Sequence, residues 1–131
     1  MPNRKDLESV PAWPPVPGFY ATALVKGGPR VAIRIWYGLP IIGDEEQDRG
    51  PRWNVSVDGR TDRWERDEGN IYRCRVAFDV DRFWPYCARE PITEAEYRFL
   101  VADAEWTREH APNHPKARPH KPVDFNTLLP F

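Results

Sequence analysis

Between residues 18 and 78 the chain alternates short apolar stretches with turn residues, which is the pattern of a small antiparallel sheet. The sharpest run is 30–37, where Val31, Ile33, Ile35 and Tyr37 fall on one face and Ala32, Arg34 and Trp36 on the other. Residues 18–25 predict a preceding strand, joined to it as a hairpin through Lys26, Gly27, Gly28 and Pro29. Trp53, Val55 and Val57 alternate with Asn54 and Ser56 in a third strand. Asp58 and Gly59 then supply a tight hairpin turn into a fourth strand, 61–66, anchored by Trp64. A fifth strand spans 71–78, with Tyr72, Cys74, Val76 and Phe78 on one face and Arg73 and Arg75 on the other. The stretch 38–51 reads as a loop held at its start by Leu39, Ile41 and Ile42, with 43–50 its most mobile part. Sequential strands of this kind predict a curled antiparallel sheet or a barrel-like meander.

After the strands the period lengthens. Asp79 or Asp81 caps one short helical turn within 79–87, and Pro85 limits its length. Thr93 with Glu96 has capping-box spacing, and Glu94 and Glu96 suit the positive end of a helix. That helix is expected to run to about residue 109 and to stop before Pro112. Ala95, Phe99, Ala102 and Trp106 form one apolar stripe on it, and Tyr97, Leu100, Val101 and Ala104 form a second, nearly opposite. A surface helix needs only one. The second stripe calls for the short helix, an arm or another subunit, with coverage inside the chain the simpler expectation. The fold class is therefore α+β, with one main C-terminal helix.

Proline divides the rest. Residues 1–17 hold five prolines and read as an N-terminal arm, pinned in part by Trp13 and Val16. Residues 18–110 form the single domain, and 111–131 form a proline-rich C-terminal tail. Val123, Phe125, Leu128, Leu129 and Phe131 make the end of that tail too apolar for a simple solubilising segment. It is expected to dock on its own domain or to recognise a partner.

Composition narrows the function classes. The 131 residues suit one domain, and 6 Trp, 5 Tyr and 6 Phe supply much of its core. A formal charge of -1 argues against an overall nucleic-acid footprint, although the acids gather at 44–48 and on the helix while the tail is basic. Residues 1–10 are polar, unlike a secretory leader, and no apolar run reaches the about 20 residues of a spanning helix. A reducing, cytoplasmic setting with no membrane association is expected. Cys74 and Cys87 read as buried thiols rather than a disulfide.

Candidate chemistry is sparse. His110, His114 and His120 with Asp124 have metal-ligating side chains, but their spacing crosses Pro112, Pro115 and Pro119 and fits an exposed tail better. Asp79, Asp81 and Glu90 stand beside bulky apolar residues, and the first two already have a capping role. Neither cysteine has a histidine on its own element to serve as base, and Gly27-Gly28 joins strand to strand without the helix of a phosphate loop. No cofactor motif is present. Binding remains. Arg34, Arg73 and Arg75 with Trp36 offer an arginine–aromatic strand face, Tyr97 and Val101 a helix face, and Phe125 and Phe131 a tail contact. These eight residues are the candidate partner-binding set. Arg30, Arg60, Arg63 and Arg66 extend the basic face, which makes nucleic acid the alternative partner.

The stretch 17–40, PGFYATALVKGGPRVAIRIWYGLP, resembles the opening of small uncharacterised proteins of bacteriophages and prophages. The resemblance carries no assigned active residues. It implies a role in phage takeover, counter-defence or DNA-associated housekeeping. Together with the residue reading, the expectation is a non-enzymatic accessory protein in the cytoplasm of the bacterial host that binds a host or phage protein, with inhibition as one outcome. Self-association through the two-striped helix is a further expectation.

Overall fold

In a computed structural model of the chain, residues 13–42, 45–46, 50–66 and 73–121 are described. Strands β1 (Gly18–Ala23), β2 (Arg30–Gly38) and β5 (Arg52–Val57) form an antiparallel sheet in the order β1-β2-β5. Two ribbons stand apart from it: β3 (Ile41–Ile42) with β4 (Glu45–Glu46), and β6 (Asp62–Arg66) with β7 (Arg73–Ala77). Helix α1 covers Val80–Cys87, helix α2 covers Glu94–His110, and a 3-10 turn follows at Pro115–Ala117.

The register explains the core. Tyr20 pairs with Ile33, Ile33 with Val57, and Ile35 with Val55. Alternation therefore puts Tyr20, Val31, Ile33, Ile35, Val55 and Val57 on one face, where they pack with Val80, Trp84 and Cys87 of α1. Tyr20 meets Trp84 edge-on at 5.6 Å between ring centres.

The opposite face belongs to α2. Ala21 and Ala32 are fully buried there, and their small side chains let the helix come close. Phe19 of that face lies 4.8 Å from the Tyr97 ring, and Ser56 Oγ lies 3.1 Å from Tyr97 Oη. The sheet is thus the middle of three layers. Between the helices, residues 90–92 run along the free edge of β1: Ala21 N donates to Glu90 O at 3.1 Å, and Ile92 N to Phe19 O at 2.9 Å.

The caps lie where the sequence puts them. Asp79 caps α1 by accepting from Asp81 N, and Thr93 and Glu96 complete the capping box of α2. Two expectations need correction. The strands do not form one curled or barrel-like meander. The tight turn at Asp58 (φ 57°) and Gly59 (φ 79°) does form, but it closes a single bridge, Val57 with Arg60, before the chain leaves β5. β6 then pairs with β7 instead, so the ladder never continues around toward closure. A helix on each face of the sheet removes the need to curl. The second correction is at 79–87, where the expected short turn is an eight-residue helix with Pro85 inside it.

The described parts of both arms lie against the domain. Tyr20 Oη donates to Val16 O at 2.6 Å, and Trp13 meets Trp53 edge-on at 6.4 Å. On the other side Lys116 Nζ pairs with Asp103 of α2 at 2.9 Å, and Pro119 is buried near Gly28. Among the described residues no helix is long and apolar enough to cross a membrane.

Candidate functional site

The two stripes of α2 part company in the fold. Tyr97, Leu100, Val101 and Ala104 are half-buried, with Tyr97 under Phe19 and Ser56, and Val101 against the Gly59 turn. Arg108 fixes the other end of the helix through an ion pair with Asp58, 2.8 Å long and largely shielded from solvent. Burial pushes the Asp58 carboxyl up, against the downward pull of Arg108 and Arg60. Those contacts commit the inner stripe to the sheet and leave the other stripe facing out.

Phe99 is 67% exposed and Trp106 57%, and Ala95 and Ala102 are exposed between and before them. Trp106 stacks on His110 of its own helix, with ring centres 4.4 Å apart and planes 12° from parallel. Beside Phe99 a groove of about 340 Å³ opens, lined by Arg30, Ala95, Glu96, Phe99 and Leu100. Along one flank Glu94 pairs with Arg98 at 2.8 Å, while Glu105 has no ion-pair partner among the described residues.

A second feature lies on the sheet face that α2 leaves open. The Arg34 guanidinium sits 5.3 Å from the Trp36 ring centre and 6.0 Å from that of Phe19. Arg34 is exposed and makes no ion pair among the described residues, whereas Trp36 is only half-exposed. A third cluster, Trp13, Trp53 and Tyr37, joins ring to ring beyond α1's side of the sheet.

The eight residues singled out from the sequence therefore do not form one site. Arg34 and Trp36 are adjacent on the sheet. Tyr97 and Val101 face the domain's own sheet. The side chains of Arg73 and Arg75 lie outside the described residues, as do Phe125 and Phe131. Phe99 and Trp106, the exposed aromatics of α2, were visible as a stripe. Which stripe faces outward depends on the alanines of β1 and β2, too far away in sequence to be read from the helix.

Other candidates have ordinary roles. Asp79 is occupied as a cap, and His114 Nδ1 accepts from Lys116 N at 3.1 Å. Among the described residues no three His, Cys, Asp or Glu side chains gather to hold a metal, and Asp124 lies outside them. Cys87 is a free, fully buried thiol, and burial pushes it up to about 12; the side chain of Cys74 is outside the described residues. No family model, curated protein or solved structure matches the chain.

Proposed function

We propose that the chain is a non-enzymatic accessory protein that acts by binding another protein through the outer face of α2. The observation that carries this reading is the pair of exposed aromatics, Phe99 and Trp106, set on one helix face with only alanine between them. Aromatic side chains lose little entropy on contact and commonly anchor interfaces, and an apolar helix face is a standard element to lay in a partner's groove. The phage resemblance of 17–40 implies a host or phage protein as that partner, held in the cytoplasm of the host.

The test is affinity capture from a nuclease-treated lysate of the source cells, comparing the full chain with its Phe99→Ser/Trp106→Ser variant. Both changes are at exposed positions, so circular dichroism is expected to match. Recovery of one other protein at near-equal stoichiometry, lost in the variant, supports the reading. Equal recovery by both chains, or none across native conditions, overturns it.

Nucleic acid is the second reading, favoured by the unpaired Arg34 between two rings. It predicts salt-dependent binding of labelled single-stranded oligonucleotides that weakens in Arg34→Ala. Binding that survives that change removes this reading.

A further inference from the structure

After α2 the chain turns back along its own helix. Lys116 lies past the end of α2 and yet pairs with Asp103 in the middle of it, at 2.9 Å. The course is antiparallel to α2 and follows the flank that carries Asp103. Pro119 is then buried at the turn between β1 and β2, its carbonyl oxygen 3.8 Å from where a Cβ on Gly28 would stand. Arg30 follows that turn, and it walls the groove of about 340 Å³ together with Ala95, Glu96, Phe99 and Leu100. The groove therefore lies ahead of the chain on its own path. Phe99 stands about 6 Å beyond Asp103 along the helix, and Ala95 about 12 Å.

The described residues end at Lys121, and 122–131 suit that path. Pro122 disfavours a helix, and in an extended segment Val123 and Phe125 share one side, with Asp124 on the other. At about 3.3–3.6 Å per residue, Phe125 reaches up to about 14 Å beyond Lys121, comparable to the distance from Asp103 to Ala95. Arg30 is exposed and makes no ion pair among the described residues. We propose that the segment 122–131 docks on its own domain along the Arg30 flank of α2, with Phe125 in the groove against Phe99 and Asp124 at its rim beside Arg30.

Tethering favours this occupant over a free one. A segment already held at Pro119 meets the groove at an effective concentration of about millimolar order, so even a weak contact is filled from within the chain. Docked there, it covers Phe99, while Trp106, on the other side of Asp103, stays open. The consequence for binding rests on reading the outer face of α2 as a protein-binding surface. A partner gains Trp106 at once and must displace Phe125 to reach Phe99.

Disulfide trapping in the full chain tests the docking. In a Cys74→Ser background, with Cys87 fully buried, Ala95→Cys/Asn126→Cys sets one thiol at the groove and one beside Phe125. Glu105→Cys/Asn126→Cys is the control, because Glu105 lies on the other flank of α2, beside Gly59. Ala95 and Glu105 are both exposed, so neither change disturbs the core. A disulfide needs Cα atoms within about 7 Å of each other. With oxidised glutathione the groove pair is expected to close within one chain about 10-fold faster than the control, and adding Phe125→Ser to bring it down to the control rate. Equal rates for the two pairs, a rate that ignores Phe125→Ser, or bonds formed chiefly between two chains overturn the docking. In capture by the chain without added cysteines, Phe125→Ser is expected to raise recovery of the bound protein, and unchanged recovery overturns the competition. Trapping at the groove with no protein captured would leave the docked segment standing and remove the proposed function. Capture through Phe99 and Trp106 by a chain whose two pairs close equally would do the reverse.

Discussion

Gly59 is where a single atom decides the seat of a helix. Its φ of 79° is one that side chains rarely adopt, and an added Cβ would stand 3.0 Å from Val101 Cγ1. Gly59→Ala is expected to cost about 1–2 kcal/mol from the backbone alone, with the contact to Val101 adding to it. The two parts separate in a double-mutant cycle. Val101→Ala removes the methyl in the way, so the double variant in urea unfolding should be less destabilised than the two single changes added together. Strict additivity would mean that the turn and the helix do not press on each other. Asp58, the other half of the turn, makes the same connection by charge through Arg108. One two-residue turn therefore sets both the exit of β5 and the lie of α2.

At the scale of elements, the capping box shows how a local signal is read directly. Thr93 Oγ1 accepts from Glu96 N at 3.1 Å, and Glu96 Oε1 accepts from Thr93 N at 3.3 Å. Thr93→Ala is expected to lower the stability of the protein by about 1 kcal/mol in thermal or urea melts. The helix boundary and the β1–β2 hairpin were legible because their causes lie within a few residues of each other. So was the alternation of Val31, Ile33 and Ile35. The curled meander was a misreading, because Asp58-Gly59 specifies a reversal and not the length of ladder that follows it. The pairing of β6 with β7 is the one that sequential antiparallel strands at 61–66 and 71–78 predict; what fails is the continuation of the ladder from β5 to β6. The exposed site was half legible in the same way: both stripes of α2 stood in the sequence, but Ala21, Ala32 and Ser56 chose between them from a distance.

For the molecule as a whole, the layer between α1 and the sheet closes around Cys87, which has no exposure and whose thiol is pushed up to about 12 by burial. Thiolate is scarce at that position, and the nucleophile needs both ionisation and access. In a Cys74→Ser chain, labelling by a thiol reagent at pH 8 is expected only through global opening, with a rate that tracks unfolding across a urea series. Rapid labelling in the native state would show instead that α1 lifts from the sheet on its own.

The strip of chain at 90–92 has a consequence for how such a molecule meets others. By donating to Phe19 O and accepting from Ala21 N, it occupies two outward hydrogen-bonding groups of β1 and covers the middle of that edge, with Pro91 at its centre. A foreign strand adding there by backbone zippering, the route that tolerates almost any sequence, would first have to displace 90–92. With 90–92 in place, the shape and charge of side chains decide what settles on that side.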